Sequence, residues 1–217
     1  PLAARVCLLL PASEMIFRHF TLPKKMASQA TAFSWMAEET LIGEVDDLHW
    51  TVLNKKGAEV DAVAIDSARL QQWLTRFHEA GLKVIQVLPD AWLLPVTAGG
   101  STLVAREENY WLRLSPHIAC NVEVGLLPLL MQKAGEGEVR CYGDIPPGIE
   151  VDEQLAAEHP LVLIQPQWRA CRVNVLHGAF SAKATSARAA KGMKAAVAVM
   201  GLLSLGLLLG PRITLAW

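Results

Sequence analysis

The last 59 residues of the chain contain no acidic side chain. Glu158 is the final carboxylate, and every charged side chain after it is one of seven Lys or Arg residues. The preceding part of the chain therefore holds all 21 Asp and Glu residues. An acidic body with a basic tail does not indicate a nucleic-acid-binding protein here, because the basic residues lead directly into an apolar run.

The apolar run, Ala195–Gly210, contains no charged residue. Four basic residues come just before it: Lys183, Arg188, Lys191 and Lys194. This order predicts a membrane segment, with the folded part of the chain in the cytoplasm. Basic residues next to a membrane segment stay on the cytoplasmic side, where they are also attracted to anionic lipids. Sixteen helical residues cover only about 24 Å of a hydrocarbon layer about 30 Å thick. The predicted span therefore continues to Trp217, although Pro211 and Arg212 interrupt it, and a buried helix of a soluble domain is the alternative.

The sequence also lacks the common signatures of catalytic and cofactor sites. It contains no P-loop, GxGxxG, HExxH, GxSxG or CxxC pattern. Its four cysteines are far apart and are expected to be reduced thiols in a cytosolic domain. The six histidines do not cluster along the chain: His19, His49, His78, His117, His159 and His177. We therefore predict no catalytic residue, no metal ligand and no cofactor.

Three polar residues nevertheless stand at the ends of predicted strands, where active sites often lie in α/β sheets. They are Ser13, Glu14 and Asp90. Without further signals, the simpler interpretation is that they are turn and helix-capping residues.

Hydrophobic periodicity predicts two successive α/β units. The first has strands at Val6–Leu10, Met15–Leu22, Leu48–Asn54, Val60–Ile65 and Lys83–Leu88, with helices at Ala27–Ile42 and from Asp66 or Ser67 to Gly81. The second has strands at Thr102–Arg106, Tyr110–Leu114, Ile118–Val122, Val139–Tyr142 and Leu161–Ile164, with helices at Val124–Lys133 and Asp152–Glu158. The PVTAGG segment at 95–100 is the best boundary between them. The predicted organisation is 1–95 and 96–180 as subdomains, 181–194 as a basic linker and 195–217 as the transmembrane segment.

One stretch is unusually acidic. It carries five carboxylates near the end of the first predicted helix: Glu38, Glu39, Glu44, Asp46 and Asp47. Acidic residues near a helix C-terminus oppose the helix dipole, so they do not favour helix stability there. They form either a solvated face or an electrostatic docking site for a basic partner.

An ordered set of segments resembles one known family. The segments are LLLPASE, TLP, MAEETLIGEVDDLHW, VLNKKGAEVDAVAID, VLPDAWLLP and, near the basic stretch, VLHGAFSAK. Together with the single apolar run, they resemble the cytoplasmic region of the type II secretion system L component, the GspL family. No single segment is a strict fingerprint, and the resemblance depends on their order along most of the chain.

The resemblance implies an α/β fold with actin-like (ribonuclease-H-like) mixed-sheet subdomains. It implies a single-pass scaffold of the bacterial inner membrane rather than an enzyme, without a cofactor. Implied partners are the secretion ATPase (E component), the M component and other inner-membrane platform proteins, and membrane lipids; homodimerisation is also considered. Family members carry further residues before LLLPASE and a periplasmic domain after the span. We therefore expect an N-terminally incomplete first sheet with an exposed edge and a truncated membrane connection.

Two other functions are compatible with the sequence. An active, membrane-anchored actin-like nucleotide-binding ATPase would need phosphate-binding hairpins and a carboxylate-held Mg²⁺. The segment Thr102–Leu114 offers no Asp-Gly phosphate loop where the second hairpin would lie. An unrelated single-span enzyme would need a catalytic set, and the sequence shows none.

Overall fold

The computed structural model describes residues 4–21, 47–96, 99–106 and 109–181. Pro1–Val175 form one compact unit, and Leu176–Trp217 belong to a second. The predicted helix at Ala27–Ile42 and the predicted membrane segment lie outside the described residues. Within the described residues, no helix is both long enough and apolar enough to cross a membrane.

The fold of the first unit is mixed α/β, with ten strands in three sheets among the described residues. The strands are β1 (Ala4–Leu10), β2 (Ile16–Thr21), β3 (Leu48–Lys56), β4 (Glu59–Asp66), β5 (Leu82–Pro89), β6 (Ser101–Ala105), β7 (Asn109–Arg113), β8 (Ala119–Glu123), β9 (Val139–Tyr142) and β10 (Glu153–Leu155). The helices are α1 (Ser67–Glu79), α2 (Leu127–Met131) and α3 (Pro160–Ala170). The sheet orders are β1-β5, β2-β4-β3 and β10-β9-β6-β7-β8.

Residues 4–94, called the first half below, contain the two smaller sheets. β1 and β5 are parallel, whereas β4 pairs antiparallel with both β2 and β3. The central position of β4 explains its burial: all six residues between Glu59 and Asp66 are buried. The predicted strands Leu48–Asn54 and Val60–Ile65 correspond to β3 and β4, which form a hairpin with Gly57 at φ 64° in the turn, a conformation that glycine adopts without steric cost.

Helix α1 begins and ends as its sequence signals predict. The side chain of Asp66 accepts a hydrogen bond from the backbone N–H of Arg69 at 2.7 Å, which caps the first turn. Gly81 follows the helix with φ 74°, in the left-handed region typical of helix ends. Leu70 is fully buried, and the helix packs against β5 and β4.

Residues 99–155, called the second half, contain the five-stranded sheet. β6 is parallel to β9 and antiparallel to β7, so the sheet is mixed. Its core is an apolar cluster drawn from four strands, the loop after β7 and α2: Leu103, Tyr110, Leu112, Leu114, Val122, Leu127 and Cys141. The helix predicted at Val124–Lys133 is shorter in the structure, where a 3-10 turn at Val124–Leu126 leads into α2.

The predicted boundary segment contains a close backbone contact. The N–H of Gly137 donates to the carbonyl of Gly99 at 3.1 Å. A Cβ on Gly137 would lie 2.3 Å from the carbonyl carbon of Gly99, so a side chain does not fit there. The division into subdomains at residue 95 stays a prediction, although the last strand of the first half ends at Pro89 and the next begins at Ser101.

Two predicted elements are wrong. The segment predicted as a helix at Asp152–Glu158 contains strand β10, which pairs in parallel with β9. Both the backbone N–H and the side chain of Asp152 bond to Val139, so pairing outweighs the weak helix preference of the sequence. The segment predicted as a strand at Leu161–Ile164 lies in α3.

The signals for α3 were present in the sequence. Pro160 occupies the first helical turn, and the His159 side chain accepts a hydrogen bond from the Leu161 backbone at 3.2 Å. Leu161 and Val162 are both 54% exposed, whereas Ile164 is buried. A short apolar run does not by itself distinguish a buried strand from one face of a helix.

Candidate functional site

Asp90, at the end of β5, joins the turn after β1 to strand β8. Its Oδ1 accepts hydrogen bonds from the backbone N–H groups of Ala12 at 2.9 Å and Ala91 at 2.5 Å. Its Oδ2 accepts one from the Asn121 side chain at 3.0 Å, and Asn121 in turn accepts one from the Ser13 backbone. Burial raises the pKa of Asp90, while these hydrogen bonds oppose that shift. Asp90 therefore connects the two halves through neutral donors.

Glu14 connects the same turn to α1. Arg69 donates to both carboxylate oxygens, at 2.9 and 2.8 Å, and Trp73 donates its indole N–H at 2.9 Å. The hydrogen bonds from Arg69 hold the pKa of Glu14 below its usual value. The guanidinium of Arg69 also lies 5.3 Å from the centroid of the Trp73 ring. Glu14 therefore connects the turn after β1 to helix α1.

These contacts bear on the predicted strand-end residues. The structure brings Ser13 and Asp90 together through Asn121, and it turns Glu14 to α1. The carboxylates of Glu14 and Asp90 both accept hydrogen bonds from groups of the protein itself. A nucleotide site with a carboxylate-held Mg²⁺ needs oxygens directed towards the ion, so this geometry does not favour the nucleotide-hydrolase hypothesis.

A second polar cluster lies where β2 and β4 approach the loop between β7 and β8. His19 Nδ1 lies 2.6 Å and His117 Nδ1 lies 2.5 Å from the same oxygen, Oδ1 of Asp61. The two imidazole rings are 4.6 Å apart at their centroids. Glu59 Oε2 lies 2.8 Å from His19 Nε2, and Asn54 donates to Asp61 Oδ2 at 3.4 Å. The hydrogen bond to Asp61 is the main reason why the pKa of His19 is raised.

Strand register and loop geometry place these side chains. His19 and Asp61 are directly opposite each other in the antiparallel pair of β2 and β4, and Glu59 lies two residues from Asp61 on the same face. His117 is held by its loop: its backbone N–H donates to the Ser115 hydroxyl at 3.1 Å. Arg113 donates to the Pro116 carbonyl at 3.2 Å. Both halves therefore contribute to the cluster.

Arg113 itself is embedded between the halves. Its guanidinium donates to the backbone carbonyls of Trp92, Leu94 and Pro116. Burial lowers its pKa to about 10. Because it contacts carbonyls from both halves, it holds the loop of His117 against the end of the first half.

The cluster leaves no local pattern in the sequence, because its histidines are far apart along the chain. His19, Asp61 and His117 are the group of His, Cys, Asp or Glu side chains, among the described residues, whose donor atoms lie within 4.8 Å of one another. A correct antiparallel register for β2 and β4 would have paired His19 with Asp61. No sequence signal places His117 beside them.

The predicted docking residues are mostly outside the described part of the chain. Asp47 is described and exposed, immediately before β3. The remaining acidic residues of the set lie outside the described residues: Glu38, Glu39, Glu44 and Asp46. The same holds for the juxtamembrane basic residues Lys183, Arg188, Lys191 and Lys194. Their roles stay predictions.

An apolar groove runs between β1 and α3. Its volume is about 400 Å³, and its lining includes Val6, Leu9, Ile164 and Trp168. Cys7 also lines it, and burial raises the pKa of this thiol. All four cysteines are free thiols, with Cys141 buried and the others half-buried. The groove offers apolar contact surface and few polar groups.

Comparison with known proteins identifies a family. Residues 1–183 match the family model described as type II secretion system (T2SS), protein L. The chain is 33% identical over 196 residues to a putative type II secretion system protein L of Escherichia coli K12, covering 88% of this chain and 50% of that protein. It is 29% identical to type II secretion system protein L of Dickeya chrysanthemi, covering 67% and 36% of the two chains. The chain thus spans at most about half the length of these relatives.

A solved structure shows the same fold. The cytoplasmic domain of EpsL, an inner membrane component of the type II secretion system of Vibrio cholerae, superposes with a TM-score of 0.72. The match covers 82% of this chain and 79% of that domain at 23% identity. At this identity the similarity establishes the fold alone.

Proposed function

Because the chain belongs to the type II secretion system protein L family, we propose that it is an inner-membrane scaffold that recruits the cytoplasmic secretion ATPase. The observation that carries this proposal is the family match over residues 1–183, together with the fold shared with a cytoplasmic domain of an inner-membrane component. Tethering raises the effective concentration of the ATPase at the membrane without new contacts within the enzyme.

The proposal includes a role for the acidic segment. Glu38, Glu39, Glu44, Asp46 and Asp47 would attract a basic face of the ATPase and speed its docking. Asp47 is exposed, as a docking residue must be. We further propose that the two subdomains are actin-like.

The membrane attachment is proposed from the tail. Lys183, Arg188, Lys191 and Lys194 would lie at the cytoplasmic leaflet, and 195–217 would cross the bilayer as a single pass. The relative whose structure shares this fold is itself described as an inner membrane component. The M component and other platform proteins are proposed partners of the same machinery.

One experiment compares the scaffold with the nucleotide hydrolase. The full chain in detergent micelles is titrated separately with the N-terminal domain of the secretion ATPase and with Mg²⁺-ATP, and each affinity is measured by calorimetry. We expect saturable binding of the domain and no heat from Mg²⁺-ATP. Binding of Mg²⁺-ATP without binding of the domain would refute the scaffold function.

A charge variant tests the docking segment. Replacing the five acidic residues by amides should weaken binding of the ATPase domain at low salt and flatten its salt dependence, because screened attraction is lost. A matched control neutralises five exposed acidic residues elsewhere: Glu79, Glu123, Glu136, Asp144 and Glu150. Equal weakening in both variants would show that net charge, and not the acidic segment, governs docking.

A further inference from the structure

The His19–Asp61–His117 cluster combines the donor types of a transition-metal site. It presents two imidazole nitrogens and one carboxylate oxygen, contributed by β2, β4 and the loop between β7 and β8. Two histidines and one carboxylate are a common ligand set for Zn²⁺, with the fourth tetrahedral position left to water. We propose that these three side chains bind a divalent transition-metal ion, and that Zn²⁺ fits them best.

The surroundings of His19 support this assignment. Its Nδ1 faces Asp61, and its Nε2 lies 2.8 Å from Glu59 Oε2. A metal-bound histidine usually donates its other ring N–H to a carboxylate, which fixes the tautomer and the ring orientation. Glu59 is itself held by a hydrogen bond from the Thr21 hydroxyl at 2.9 Å. The arrangement matches a carboxylate–histidine–metal relay.

The carboxylate and the second histidine are positioned as well. Asp61 is 4% exposed, and its other oxygen accepts a hydrogen bond from Asn54. His117 Nδ1 is buried and makes no aligned hydrogen bond, although it lies 2.5 Å from Asp61 Oδ1. The Nδ1 atom of His117 and the Oδ1 atom of Asp61 are therefore close enough to coordinate the same ion.

Only a small movement separates the cluster from coordination geometry. Bonds of about 2.0 Å in a tetrahedral Zn²⁺ site separate neighbouring ligand atoms by about 3.3 Å. The Nδ1–Oδ1 distances of 2.6 and 2.5 Å must therefore open by about 0.7 and 0.8 Å, respectively. The His19 and His117 side chains are 42% and 40% exposed, which gives them room to rotate and gives the ion a path from solvent.

The site has a structural consequence. His19 and Asp61 belong to the first half, whereas His117 belongs to the second. An ion bound by all three would fix the β7–β8 loop against the β2–β4 pair. Metal binding at this cluster is independent of ATPase recruitment, because none of the five proposed docking residues belongs to the cluster.

Metal titration of the full chain tests the proposal. The chain, without an affinity tag and after chelator treatment, is titrated in detergent with Zn²⁺ by calorimetry and with Co²⁺ by visible absorption. We expect one Zn²⁺ per chain and the intense visible bands of tetrahedral Co²⁺ without a thiolate charge-transfer band. Absence of saturable binding, or a thiolate band that assigns the ion to cysteines, would overturn the proposal.

Variants locate the ion. His19→Ala and His117→Ala should each weaken Zn²⁺ binding by at least about 100-fold, and Glu59→Ala by about 10- to 100-fold, because its role is to orient His19. His78→Ala is the matched control, since His78 is exposed on α1, and it should bind as the parent does. Circular dichroism checks that each variant is folded. Unchanged affinity in both ligand variants, or equal loss in the His78→Ala control, would refute the site.

Discussion

Asp61 and Asp90 are two buried carboxylates, 4% and 7% exposed, and each links the first half of the chain to the second. Their partners differ. Asp90 is satisfied by backbone N–H groups and by the amide of Asn121, whereas Asp61 faces two imidazole rings. Neutral donors in fixed positions suit a permanent connection between the two halves. Imidazole nitrogens exchange protons or metal ions, so the Asp61 cluster is the place where the junction of the halves can respond to a ligand.

Loss of the Asp90 carboxylate should have the largest effect. Asp90→Ala leaves the N–H of Ala12 and the amide of Asn121 without their partner in a buried place, and we expect a loss of about 2–4 kcal/mol in the free energy of unfolding. Urea unfolding followed by circular dichroism measures it. Asp144→Ala is the control, because Asp144 is exposed and its backbone carbonyl, which the substitution preserves, accepts the Tyr110 hydrogen bond. Equal losses of stability in the two variants would show that the hydrogen bonds of Asp90 do not connect the two halves.

Asp61→Asn should cost less than Asp90→Ala when metal is removed. The amide still fills the space, and the two histidines are exposed enough for water to replace part of the lost interaction. We expect about 1–3 kcal/mol, measured by urea unfolding in the presence of a chelator. Addition of Zn²⁺ should then stabilise the parent chain and not the variant. A larger loss of stability than that of Asp90→Ala would contradict the expectation that the contacts of Asp90 stabilise the fold more than those of Asp61 do.

Glu14→Gln should have the smallest effect and a characteristic pH dependence. The lowered pKa of Glu14 means that its contribution is present above the usual glutamate pKa of about 4.3 and is lost as the pH falls through its folded-state pKa. The difference between parent and variant should therefore shrink in acid, which unfolding curves at several pH values measure.

Asp90 provides the contrast to Glu14. Its raised pKa predicts a contribution that is present at low pH and decreases as the pH rises through the folded-state pKa. The effects of Glu14→Gln and Asp90→Ala should thus change in opposite directions across the acid range. Parallel pH profiles for the two variants would contradict this comparison.

Much of the fold follows from local signals. The β3–β4 hairpin, the Asp66 cap of α1 and the strand at Val139–Tyr142 were predictable, because turn residues, caps and alternation act over a few neighbouring positions. The segment after Pro147 was predicted wrongly. There the pairing of β10 with β9 and the capping of α3 by His159 outweigh the composition of the segment.

The sequence by itself determined the mixed α/β class, the family and the asymmetry between an acidic body and a basic, apolar tail, because these are properties of composition and order along the chain. Tertiary structure alone decided that Asp90 is bound by Asn121 and that His19 and His117 meet at Asp61. Contacts between residues far apart in the chain depend on how separate sheets pack together. No local pattern encodes that packing, so the candidate metal site becomes visible only in the folded molecule.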